Sequence, residues 1–211
     1  MAFDLEEQEQ IAELKQFWKQ YGALIVTLAV AALVAFAGMQ GWRYYKNSQA
    51  EQASSLFTKF GEAVRKNDVN EIRTLGKQMI DGFGSTAYGP TVALLLAKTN
   101  YENGDVSTAA GQLQWAIDKA KDEETAELAR LRLASIRLDE KKYDEALKLL
   151  ETKHSAAMET LYSDLRGDVM AAQGKSAEAR AAYKSAIDKS LPNSSYRNVV
   201  QIKLDALGGD K

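Results

Sequence analysis

The strongest constraint on this chain is a run from Tyr21 to Trp42 without one charged side chain. Its core, "GALIVTLAVAALVAFAGMQGW" (Gly22–Trp42), would reach ~31 Å as a helix at ~1.5 Å per residue. A bilayer's hydrocarbon layer is ~30 Å thick, so the run predicts a single transmembrane helix over 22–42. A rival instruction sits inside it. Ala35-Phe36-Ala37 before Gly38 has the small-x-small form of a signal-peptidase site, with Ala23–Val34 as the apolar stretch in front. A signal peptide, however, opens with a short basic segment. Here residues 1–21 carry Asp4, Glu6, Glu7, Glu9 and Glu13 against only Lys15 and Lys19. The apolar run also continues past Ala37 to Trp42, Arg43, Tyr44, Tyr45 and Lys46. Interfacial rings and snorkelling cations belong at such an exit, and Trp18 and Tyr21 are their counterparts at the entry. The uncleaved anchor is the better reading. A buried soluble helix fits less well, because apolar residues occur all round the helix.

Charge does not orient the span. Lys15 and Lys19 precede it, and Arg43, Lys46 and Lys59 follow, too even a balance for the positive-inside rule. In the arm at 1–21, Ile11, Leu14, Trp18 and Tyr21 recur at helical spacing, and Phe17 widens their face. The arm reads either as an amphipathic helix lying on a partner or on lipid, or as a continuation of the membrane helix. The pattern favours the continuation.

Residues 43–211 form the second domain. With two prolines and no cysteine, and with Ala, Leu, Lys and Glu abundant, the chain is expected to be all-α. The missing cysteine excludes disulfides, thiolate metal sites, a catalytic thiol and a lipid-modified cysteine. A net charge of −2 gives no field to attract nucleic acid, so none is expected as a partner.

The second domain repeats itself. "LAKTNYENGDVSTAAGQLQWAIDKA" (Leu96–Ala120) holds Ala97 and Tyr101, a break at Asn103-Gly104-Asp105, then Ala109, Leu113 and Ala116. In Arg132–His154 the same scheme gives Ala134, Leu138, a Lys141-Lys142 turn, Tyr143, Ala146 and Leu150. In Leu165–Pro192 it gives Gly167, a Gly174-Lys175 turn, Ala179, Tyr183 and Ala186. Small residues let two antiparallel helices approach, and large ones fill the space between successive hairpins. One hairpin cannot bury its apolar face alone, so several must stack. This resembles the tetratricopeptide repeat of ~34 residues. A degenerate hairpin is expected over Ser48–Phe83, with Ile72, Gly76 and Met79 in its second helix. Lys153 stands where the second repeat wants a last small residue. Asn193–Leu207 should be a terminal helix, and Gly208–Lys211 a disordered tail.

No constellation for catalysis, metal or cofactor emerges. His154 is the only histidine and reads as a capping or surface group. Gly82, Gly84 and Gly89 lack the Gly-Lys-Ser/Thr of a phosphate loop. Asp122-Glu123-Glu124 suits the positive end of a helix dipole. Asp164 and Asp168, one turn apart, read as a solvated or peptide-facing pair. Binding is the better supported class. If first helices line a concave surface, Lys98, Tyr101, Leu131, Leu138, Asp164 and Asp168 are its candidate groove residues.

The full combination resembles a known family. "AELKQFWKQYG" (Ala12–Gly22), "GWRYYKNSQ" (Gly41–Gln49), "AYGPTVALLLAK" (Ala87–Lys98), "AAGQLQWAI" (Ala109–Ile117), "ARLRLASIRL" (Ala129–Leu138) and "SDLRGDVMAAQGKSAEARAAY" (Ser163–Tyr183) are similar to the YfgM family, ancillary subunits of the bacterial SecYEG translocon. Gly89-Pro90 departs from that pattern, and the proline is expected to delay the helix after it. The resemblance implies a non-enzymatic protein of the bacterial inner membrane, with its N-terminus cytoplasmic and its repeat domain periplasmic. It implies the SecYEG translocon, a PpiD-like periplasmic chaperone and exported polypeptides as partners, and no cofactor. The residues alone leave open a membrane-anchored scaffold for another cell-envelope assembly.

Overall fold

The computed structural model describes residues 2–208, with side chains from residue 10 onward. All regular structure among them is helical. The elements are α1 (Ala2–Lys66), α2 (Val69–Phe83), α3 (Tyr88–Glu102), α4 (Val106–Lys119), α5 (Glu123–Asp139), α6 (Tyr143–Leu150), α7 (Glu159–Ala172), α8 (Ser176–Lys189) and α9 (Ser195–Ala206). The expected disordered tail lies outside the described residues except for Gly208.

The chain divides into two units between Glu51 and Gln52. In the first, the arm and the apolar run are both helical, so the arm continues the membrane helix. Among the described residues, α1 from Gln10 is the one helix long and apolar enough to cross a bilayer. Its large apolar side chains from Leu24 to Met39 are exposed, as a lipid-facing helix requires.

The second unit begins with the rest of α1 and carries its own cores. Ala53, Leu56, Phe60 and Ala63 recur along one face and pack on Ile72 and Met79 of α2 and on Val92 and Leu96 of α3. Further cores follow under α3–α5, α5–α7 and α7–α9. The repeat is most exact at the turns. Asn67, Gly104, Lys141 and Gly174 all have positive φ, at 54°, 82°, 60° and 77°. After each, the next residue's N–H returns five residues, from Asp68 to Ala63, Asp105 to Asn100, Lys142 to Arg137 and Lys175 to Met170. This is the Schellman closure, which satisfies orphan carbonyls at a helix end. Its occurrence four times makes 52–83 a genuine hairpin of the same design.

The predicted small residues stand where helices pack closely. Ala109, Ala146 and Ala179 are each fully buried. At Gly167 an added Cβ would lie 2.4 Å from the Tyr183 ring, and at Gly76 it would lie 2.9 Å from Leu96. Two expectations are corrected. Pro90 does not delay its helix: α3 starts at Tyr88, which puts the proline in the first turn, where no N–H partner is needed. Lys153 faces no helix, because α6 stops at Leu150 and Lys153 lies exposed in the following loop.

That loop is held from below. Glu127 of α5 is fully buried and accepts from the Ser155 N–H at 2.5 Å and the Ser155 hydroxyl at 2.7 Å. The Tyr162 hydroxyl donates to the Glu127 carbonyl at 2.8 Å. His154 is correspondingly no surface group. Its ring stacks on Tyr162 with centroids 4.0 Å apart, and Nε2 lies 3.1 Å from Glu159.

Candidate functional site

Alternate helices α3, α5 and α7 neighbour one another along one face, and two hollows adjoin there. One, of about 330 Å³, is bounded by Lys98 and Tyr101 of α3 and by Arg132, Ser135 and Ile136 of α5. The other, of about 260 Å³, lies between Leu131, Arg132 and Ser135 of α5 and Leu161, Asp164, Leu165 and Asp168 of α7. Tyr196 of α9 closes its end. Arg132 and Ser135 belong to both, so the two form one groove. Five of the six groove residues expected from sequence line it. Leu138 does not: it packs against the core of Ala134, Ala146 and Leu150.

The polar side chains of the groove are largely engaged with partners inside the chain. Lys98 pairs with Glu102 at 3.7 Å, both exposed. The Tyr101 hydroxyl donates to Asp139 at 2.5 Å, and that bond to a carboxylate, with some burial, raises its pKa. Asp164 and Asp168, expected as a solvated or peptide-facing pair, line the groove but are not solvated, being tied down inside the chain. Lys203 of α9 donates to Asp164 at 2.9 Å and to Asp168 at 2.8 Å. Tyr196 donates to Asp164 at 2.6 Å and Tyr183 to Asp168 at 2.8 Å. Asp164 is 4% exposed. Burial first, then the bonded carboxylate, pushes both phenols well above their ordinary range. Burial works against the Lys203 charge, but the two aspartates outweigh it and hold its pKa above that of a free lysine.

Arg132 is the charge at the middle of the groove. It is half-buried, donates to the Leu94 carbonyl at 3.2 Å, and burial lowers its pKa. Sequence reading passed over Arg132, Ser135, Leu161, Leu165 and Tyr196. Ser135 stands four residues after Leu131 and Leu165 three before Asp168, so a helical-wheel count could have found them. Nothing local marks Tyr196, because it arrives only when α9 folds onto α7.

In the first unit, Trp18 and Tyr21 at one end of the span and Trp42, Arg43, Tyr44 and Tyr45 at the other are exposed. The Trp42 and Tyr45 rings lie 5.9 Å apart, and the Lys46 ammonium sits 5.4 Å from the Trp42 ring. Asp122 caps α5 by accepting from the Thr125 N–H, and hydrogen bonding to Thr125, by its side chain first and its backbone second, lowers the Asp122 pKa.

Comparison with known proteins gives a consistent picture. A family model described as a tetratricopeptide repeat-like domain matches residues 15–209. The ancillary SecYEG translocon subunit of Neisseria gonorrhoeae is 32% identical over 208 residues, covering 98% of this chain and 100% of that protein. The protein of the same description from Haemophilus influenzae is 30% identical, over 88% of this chain and 91% of its own. That from Escherichia coli is 28% identical, over 95% and 96%.

Proposed function

We propose a role from the premise that this chain belongs to the family of ancillary SecYEG translocon subunits with a tetratricopeptide repeat-like domain. It is a single-pass protein of the bacterial inner membrane. Its N-terminal arm is cytoplasmic and its repeat domain periplasmic. The span holds the repeat domain beside the SecYEG channel exit, where the groove along α3, α5 and α7 takes a segment of a PpiD-like chaperone or of an emerging polypeptide. Tethering raises the local concentration of the groove for such partners. Trp18, Tyr21 and the Trp42–Lys46 exit fix the depth of the span in lipid.

The observation that carries this reading is the pairing, on one chain, of an apolar helix whose large side chains are exposed with a groove whose polar groups are engaged inside the chain. The two aspartates of the groove are held by Lys203 and two tyrosines and are not free for acid–base work. That supports a scaffold rather than an enzyme.

The test is a pull-down of the tagged full-length protein from membranes opened in mild detergent, read by mass spectrometry. The expected result is recovery of channel subunits with a periplasmic chaperone, and a bait mass that includes residues 1–37. Recovery of a different envelope complex would overturn the translocon role, and a bait cut after Ala37 would overturn the anchor. Equal translocon association by a protein lacking residues 1–42 would overturn tethering.

A further inference from the structure

A separate hollow of about 640 Å³ opens between α2 and α4, with Leu96 and Asn100 of α3 at its base, and shares no residue with the groove. Its size falls within the ~300–1,000 Å³ of ordinary ligand sites. Asn100 is 3% exposed, a polar group that must be satisfied where it is buried. Its Oδ1 accepts from Arg73 Nε at 2.8 Å, and its Nδ2 donates to Gln112 at 3.0 Å.

The result is a fixed arginine. A bond at Nε holds the guanidinium plane and leaves its terminal N–H groups, the fork that matches a carboxylate bidentately. Among the described residues no acid lies within ion-pair distance of Arg73. The other charges of the hollow are matched locally. Lys77 holds Asp81 at 2.6 Å, and Asp105 accepts from the Thr108 N–H at 3.2 Å as the cap of α4. Ile80 and Trp115 complete an apolar wall. The Trp115 indole packs on Gly84, where an added Cβ would be only 2.8 Å away.

We propose that this hollow is a second binding site, which takes a partner protein's segment through one carboxylate side chain flanked by large apolar side chains. The carboxylate meets the Arg73 fork, and an apolar neighbour lies against Trp115 and Ile80. Charge complementarity decides the occupant. A basic or purely apolar segment would bury the Arg73 charge unpaired, whereas an acidic one neutralises it. The site holds whichever envelope complex the chain serves, so failure of the translocon pull-down leaves it standing.

The test uses the full chain in nanodiscs, with empty nanodiscs as the blank. The probes are fluorescent, end-blocked peptides with one Glu between leucines, and the same peptides with Gln in its place. Fluorescence anisotropy should show the Glu peptide bound at least ~10-fold more tightly than the Gln peptide. Arg73→Lys keeps the charge but loses the fork and should erase that preference. Gly111→Trp fills the hollow from an exposed position with open space at its Cβ, and should abolish binding of both peptides at unchanged helix content. Equal binding of the two peptides, or binding untouched by both variants, overturns the proposal. Displacement by free N-acetylglutamate at the affinity of the Glu peptide would mark a small-molecule site and overturn it as well.

Discussion

Replacing Gly167 by alanine should weaken the protein through one contact. The new Cβ would lie 2.4 Å from Cε1 and 2.5 Å from Cδ1 of Tyr183, where carbon pairs settle at ~3.5–4.0 Å. The ring must therefore retreat by ~1 Å, yet Tyr183 is 3% exposed and its hydroxyl is bound to Asp168 at 2.8 Å. Overpacking costs ~1–3 kcal/mol, and a lost hydrogen bond to a carboxylate ~1.5–3 kcal/mol. Alanine returns ~1 kcal/mol of helix propensity over glycine. The net expectation is a loss of about 1.5–5 kcal/mol. Urea unfolding of the full chain in mild detergent, followed by circular dichroism, should show a lower midpoint at unchanged slope. The decisive comparison is a double-mutant cycle. On a Tyr183→Ala background the same Gly167→Ala change should be neutral, or stabilising by up to ~1 kcal/mol. An equal cost on both backgrounds, or a Gly167→Ala protein as stable as the parent, would refute the clash.

The Lys203 cluster makes stability fall in alkali. The folded-state pKa values of Lys203, Tyr183 and Tyr196 are all raised, so their contribution is complete below the unfolded values and is lost as pH climbs through the folded ones. Unfolding midpoints should hold up to about pH 9.5 and then drop, and Tyr196→Phe should make that drop shallower. Lys141 carries φ 60° without being glycine, so Lys141→Gly should raise stability by ~1 kcal/mol in the same urea assay. Glu127→Ala removes the buried anchor of Ser155. It should cost ~2–4 kcal/mol and make the 151–158 loop the first site of limited proteolysis, read by fragment mass.

Much of the second unit was legible because its physics is local. A positive-φ turn, a small residue at a helix crossing and a large one between hairpins each recur at fixed spacing, so Ala109, Ala146 and Ala179 declared themselves. The hairpin expected over Ser48–Phe83 was harder, because Asn67 stands where Gly104 and Gly174 mark two of the other turns. In the groove, Lys98, Tyr101 and Leu131 were readable from the first-helix pattern. Leu138 was misplaced because such a helix has two buried sides, and spacing alone does not say which one a leucine faces.

The sequence by itself determined the apolar run and its aromatic exit, the all-helical class and the stacked hairpins. Each depends on residues close in the chain, whose pattern repeats whatever surrounds it. Only the tertiary structure decided what the charges do. Asp164 and Asp168 pass as a free acidic pair until α9 brings Lys203 and Tyr196 back from 39 and 32 residues away. Arg73 passes as one more surface cation until Asn100, 27 residues on, fixes it over a hollow. A side chain's charge is written in the sequence, but its partner, and so its work, depends on which distant helix packs against it.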